Sequence, residues 1–325
     1  MATNTGHIFD GSGRVLAVLR AEAAAHDLPL TILSDGIEVT TTYGSISARQ
    51  DGKTVHLSLT SARPGDLTVL RDAIHQHLDA DVHVEWRNLP HGMPENLHIL
   101  QVHSVTQISP AFLRLRLVGD VAPLIAGGFH IRLISPARGM QRWPQIGTDG
   151  HTIWPDDMPL PHRPVYTIAA SADDTVMIDV FRHATGRTLR WIAALQPGDE
   201  VGVMGPGGSG MPKTKHLSLW GDETALPAIL RIIRDAPADM HGAATILVPS
   251  NADIRTVENA QFRVKWLLRD DQDHLIRALK SGYQDALDTF LWCAADGAQV
   301  QAARIFADQL NIPKDRRHIA AYWQL

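Results

Sequence analysis

Residues 163–191 hold the side chains best suited to gripping a flat, phosphate-bearing cofactor. Tyr166 offers an aromatic face, and Thr167 beside it a hydroxyl and a backbone N–H for a polar ring edge. Gly186 lets the backbone approach a pyrophosphate. Arg187, Thr188 and Arg190 then open an expected helix, where unpaired N–H groups collect anions. Gly205-Pro206-Gly207-Gly208 is most often a tight turn. Gly221-Asp222-Glu223-Thr224 directly follows the apolar run 217–220, and Asp222 reads as the N-cap of the next helix. The next apolar run, 243–248, ends at Pro249-Ser250-Asn251. Ser250 and Arg255 there suit a ribose 2′-phosphate, whereas Asp253 between them suits a free ribose.

Two elements carry cations that could attract an anionic ligand. Arg132 lies in the strand-like run 130–134, and Arg263 and Lys265 are two apart in the run 263–268, so they share a face. Arg269 follows at the end of that run. The seventeen histidines show no metal-binding spacing: His75 and His77, two apart on an expected helix, point to different faces. The single cysteine, Cys293, rules out an internal disulfide, a zinc ribbon and a Cys-ligated iron–sulfur cluster, and its apolar run makes it a core residue.

The elements that position these residues fall into three stretches. Residues 1–95 read as an α+β module: a helix near 15–25, an antiparallel meander over 30–58 and a helix on Leu67, Leu70, Ile74 and Leu78. Pro90, Gly92 and Pro94 form a linker. Residues 96–214 carry six short strand patterns with Gly/Pro turns, the signature of a small antiparallel β-barrel, interrupted by an ordered insertion over 138–163. Residues 215–325 alternate strand and helix, which predicts a mostly parallel α/β sheet. The fold class is therefore multi-domain, with a barrel followed by a Rossmann-like domain. Two or three domains suit 325 residues.

A net charge of −5 and the lack of any Lys/Arg block argue against nucleic acid. No apolar run is long enough for a membrane span, and the N-terminus has no signal-peptide pattern, so a cytoplasmic protein is expected.

Several strings resemble the siderophore-interacting proteins, a branch of the ferredoxin-reductase superfamily. They are Tyr166-Thr167, His183…Gly186…Trp191, Pro197-Gly198-Asp199, Gly205–Gly208, the run GDETALPA from Gly221, Trp292 and the terminal Tyr322-Trp323. The resemblance covers about two-thirds of the chain, from Leu97 on. It departs from the family at Pro164 and Ala169, where the family has arginines, with Arg163 one place early. Residues 11–90 resemble, more weakly, a small domain sometimes fused to this family.

The resemblance implies FAD as cofactor, held by Arg163, Tyr166, Thr167, His183, Gly186, Arg187, Thr188, Trp191, Gly205 and Gly207. It implies NADPH or NADH as donor, near Asp222, Glu223, Thr224, Ser250 and Arg255, with a ferredoxin as the alternative donor. The substrate implied is a ferric siderophore, met by Arg132, Arg263, Lys265 and Arg269, with no catalytic acid or base and no protein-bound metal. The competing readings are a flavin reductase with another acceptor and a non-catalytic siderophore-binding or iron-sensing module.

Overall fold

The computed structural model describes residues 1–9, 12–25, 28–79, 82–134, 143–155, 163–182, 186–269, 274–284, 286 and 288–323. The chain divides into two compact units. The first holds residues 1–99, 134–162 and 202–207, and the second 100–133, 163–201 and 208–325.

The N-terminal elements are β1 (Ala2–Ile8), α1 (Ser12–Ala25), β2 (Leu30–Ile32), β3 (Gly36–Thr41), β4 (Gly44–Asp51), β5 (Thr54–Ser61), α2 (Pro64–His77) and β6 (Glu85–Trp86). They form an antiparallel sheet in the order β2-β3-β4-β5-β1-β6. Alternate residues of β5, Val55, Leu57 and Leu59, join Leu67, Leu70 and Ile74 of α2 and Val15 and Leu19 of α1 in one core. The expected helix–meander–helix is present, and β1 is an addition. It pairs with β5 along its whole length, from Ala2↔Ser61 to Ile8↔Val55. Its buried positions are Asn4, Gly6 and Ile8, so only one of three is a large apolar residue and the alternation is hidden. The core accepts Asn4 because its amide donates to the Arg87 carbonyl (2.7 Å) and accepts from Arg71.

The barrel follows the predicted strands, with β7 (Leu97–Ser109), β8 (Phe112–Val118), α3 (Ala122–Ile125) and β9 (His130–Ile134). A small hairpin, β10 (Gln145–Ile146) and β11 (Thr152–Ile153), is the described part of the insertion. Then come β12 (Val165–Ala172), β13 (Thr175–Phe181), α4 (Arg187–Ala194) and β14 (Glu200–Gly207). Six strands close in the order β12-β13-β8-β7-β14-β9. In β8, Phe112, Leu115 and Leu117 are enclosed, while Arg114, between the first two, pairs across the ladder with Asp179 of β13 (2.7 and 2.9 Å).

The α/β part comprises β15 (His216–Gly221), α5 (Leu226–Asp235), β16 (His241–Val248), β17 (Phe262–Leu268), α6 (His274–Gly282), β18 (Thr289–Asp296), α7 (Gly297–Gln309) and β19 (Arg317–Trp323). Its sheet is wholly parallel in the order β17-β16-β15-β18-β19. The chain leaves the central strand β15 toward β16 on one side and returns to β18 on the other. Such a reversal is where open parallel sheets characteristically form a ligand crevice, here beyond the carboxyl ends of β15 and β18.

Candidate functional site

One enclosed carboxylate ties the strand ends around that crevice. Asp222 follows β15 and is 0% exposed. Its Oδ1 accepts from the Thr224 N–H (2.9 Å) and hydroxyl (2.6 Å). Its Oδ2 accepts from the Asp296 N–H at the end of β18 (3.0 Å) and the Trp323 indole N–H at the end of β19 (2.8 Å). Burial raises the Asp222 carboxyl above its ordinary value, and the bonds from Thr224 and Trp323 oppose that rise. This corrects the N-cap expectation: α5 starts at Leu226 with Ala225 in the cap position and no side-chain cap. Asp222 instead braces three strands. The residue that does cap a helix here is Asp296, whose carboxylate accepts from the N–H groups of Ala298 and Gln299 in α7.

Glu223 is 1% exposed and accepts from Arg269 in a bidentate pair (2.6 and 2.5 Å). Arg269 is therefore a countercharge for a buried carboxylate. Asp222 and Glu223 likewise shape the turn with carboxylates already bonded inside the protein. Gly221 permits the turn's close packing: a Cβ there would lie 2.6 Å from Ala225 Cβ and 2.7 Å from Ile229 Cδ1.

The 250–255 loop is also committed internally. Ser250 donates to Asp253, which also accepts from Ser109 (2.6 Å) and the Ala111 N–H (2.9 Å). Arg255 donates to the Ile108 carbonyl and Ser109 Oγ, with its guanidinium over the Phe112 ring. These residues fasten the α/β sheet to the β7–β8 turn. Arg231 of α5 adds a second fastening, donating to the Ile168 carbonyl (3.0 Å) and lying 4.2 Å over Phe129.

The flavin expectations converge at the start of β12. Tyr166 is half-buried, and its phenol hydrogen-bonds to Thr188 in the first turn of α4. Gly186, which has no side chain of its own to cap with, is the N-cap of α4. An aromatic ring thus stands beside the first turn of a helix, a pairing that fits the ring and pyrophosphate of FAD. Arg187 and Arg190 are exposed on that helix, Trp191 is half-buried, and His183 lies outside the described residues. Thr167 is buried opposite His130 in the β9–β12 ladder. Gly205 and Gly207 are part of strand β14 rather than a turn, which corrects the tight-turn expectation. The turn residue is Gly208, at φ +69°, and a Cβ there would lie 2.6 Å from His130 Nδ1.

Arg132 is exposed opposite Val165 and donates weakly to the Arg163 carbonyl (3.4 Å). Arg263 and Lys265 are exposed on β17, the sheet's edge strand. Arg263 sits at the amino end of that strand.

The sequence reading attached no role to His130 or Tyr322. The two share a hydrogen bond (2.8 Å) linking the barrel strand β9 to β19. Burial, with His318 and Arg231 nearby, lowers His130 from 6.5 to about 4. The terminal Tyr-Trp string was the available signal, but its partners are 192 and 101 residues away.

Two family models match the chain in succession. The siderophore-interacting FAD-binding domain matches residues 101–210, and the siderophore-interacting protein model matches 214–325. The ferric vibriobactin reductase ViuB of Vibrio cholerae serotype O1 is 28% identical over 233 residues, covering 67% of this chain and 85% of that protein. The NADPH-dependent ferric-chelate reductase of Escherichia coli is 28% identical over 235 residues, covering 69% and 91%. A siderophore utilization protein from T. fusca has a similar solved structure, at a TM-score of 0.63 and 27% identity over 72% of this chain and 95% of that one.

Proposed function

Because this chain belongs to the siderophore-interacting protein family, we propose that it is an FAD-dependent reductase that passes electrons from NAD(P)H to the iron of a ferric siderophore. The observation that carries this reading is the coincidence of match and architecture. The FAD-binding match ends at residue 210, just after the last barrel strand, and the second match begins at 214, just before the parallel sheet. The reductase relatives support the same chemistry.

Tyr166 would lie against the flavin ring, with Thr188 holding its phenol in place. The first-turn N–H groups of α4 would receive the pyrophosphate, aided by Arg187. Bound FAD supplies the conversion between a two-electron hydride donor and one-electron reduction of Fe(III). The crevice beyond β15 and β18 is assigned to the nicotinamide nucleotide, and Asp222 keeps that crevice in shape. Arg132, exposed on the barrel, attracts an anionic chelate. Iron arrives held by its chelator, so reduction needs no protein ligand to the metal and no acid or base from the chain. The cytoplasm, which supplies NAD(P)H, is the compartment this reading implies.

The test is to purify the protein, assay non-covalent FAD after denaturation, and follow anaerobic reduction. NAD(P)H should bleach the flavin band, and a ferric siderophore should restore it as Fe(II) appears with a ferrous-specific dye. A protein that retains no FAD after reconstitution, or that yields no Fe(II), overturns the proposal.

A further inference from the structure

The first unit gathers a group of potential ligands that no sequence spacing announces. His75 is on the last turn of α2, and Asp149 and His151 are in the β10–β11 turn. One ligand atom from each residue lies within 4.8 Å of the other two. Asp149 Oδ1 and His151 Nδ1 are 2.5 Å apart, and the His75 and His151 rings stack with centroids 3.7 Å apart. His83 borders the same pocket as His75 and Asp149.

The backbone around this group is held in place. Asp72, one helical turn before His75, accepts from the N–H and the hydroxyl of Thr152, both at 2.7 Å. Arg71, 2% exposed, donates to the Gly150 carbonyl (3.0 Å). Two consecutive residues of α2 therefore clamp the hairpin turn on both sides of His151. Arg71 and Asp72 thus hold the hairpin turn through its backbone and Thr152, independently of these three side chains.

We propose that His75, Asp149 and His151 bind a divalent first-row transition metal ion. Two imidazole nitrogens and one carboxylate oxygen suit borderline ions such as Zn²⁺ and Fe²⁺. Mg²⁺ and Ca²⁺ prefer all-oxygen sites, and Cu⁺ prefers sulfur. Stacked rings do not aim their lone pairs at one point. Binding therefore requires the His75 ring, which is exposed, to turn. Three protein ligands leave further positions for water or for His83. The site is independent of the flavin chemistry proposed above.

The experiment is calorimetric titration of the tag-free holoprotein with ZnCl₂ and, separately, MgCl₂. The expected result is one equivalent of Zn²⁺ bound and no heat from Mg²⁺. His75→Ala and His151→Ala should each weaken Zn²⁺ binding at least about 10- to 100-fold, the loss typical of removing even an outer-shell partner. His216→Ala, in a histidine pair elsewhere, should bind as tightly as the unaltered protein. Unchanged FAD content and far-UV spectra show that the variants are folded, and His75→Asn, on the exposed helix face, provides a second variant. The proposal is overturned if Zn²⁺ does not bind, if the His75 variants retain full affinity, or if His216→Ala loses as much as they do.

Discussion

Removing the guanidinium of Arg269 would leave the Glu223 carboxylate, 1% exposed, charged and without its partner. Arg269→Ala should therefore destabilise the protein by about 2 kcal/mol, less than a fully buried pair loses because the arginine is partly exposed. Urea unfolding would show it, and adding Glu223→Gln should recover much of the loss. Arg132→Ala makes the opposite prediction. This exposed residue should leave stability and FAD content unchanged while raising KM several-fold for an anionic ferric chelate, and a neutral ferric hydroxamate should be little affected. Equal effects on both chelates would remove Arg132 from the substrate path.

His130 carries a pH prediction. Its folded value of about 4 lies below the ordinary 6.5, so between those values the unfolded chain binds the extra proton. Stability is full above pH 6.5 and falls as pH drops toward 4, by about 3 kcal/mol if His130 acts alone. His130→Asn should flatten the midpoint-versus-pH curve in that window. Some slope should remain, because burial lowers His318 too. An unaltered slope in the variant would show that other groups govern acid unfolding.

At the scale of elements, the turn between β15 and α5 is the most constrained piece of the site. The Cβ of Gly221→Ala would meet Ala225 and Ile229 at less than van der Waals distance, so strand and helix must part. Overpacking of this kind costs about 1–3 kcal/mol. Because Asp222 follows immediately, the same variant should weaken nicotinamide binding more than FAD binding. Thermal melting and separate titrations of the two ligands would check this. Equal loss of both would mean that the whole second unit has loosened.

At the scale of the molecule, the composition of the first unit bears on truncation. The sequence boundary at residue 95 falls within a unit that also contains 134–162 and 202–207. A chain beginning near Glu95 loses Arg71 and Asp72, the partners of Gly150 and Thr152. Its melting temperature should fall, and the 143–155 hairpin should become sensitive to proteolysis. A truncated protein as stable and protease-resistant as the full chain would show that the hairpin holds its place alone.

The barrel and parallel sheet could be read in advance because their signals are local. Strand runs such as 112–118 and 217–220 carry their apolar pattern within a few residues, and strand–helix alternation after 215 dictates parallel order. Tyr166, Gly186 and Thr188 were legible for the same reason, as one short stretch supplies both a ring face and a helix start. β1 was not, because two of its three enclosed positions are Asn4 and Gly6, and what accommodates Asn4 are Arg71 and Arg87, far along the chain. Whether a charged residue is a free cation, a brace or a ligand depends on which distant group meets it. Arg269 and Arg132 have the same side chain, yet one pairs with the buried Glu223, 46 residues away, and the other is exposed beside the Arg163 carbonyl. His75 and His151 are 76 positions apart and become neighbours only when α2 docks the hairpin, as side-chain chemistry is local while Coulomb and coordination partners are chosen by the fold.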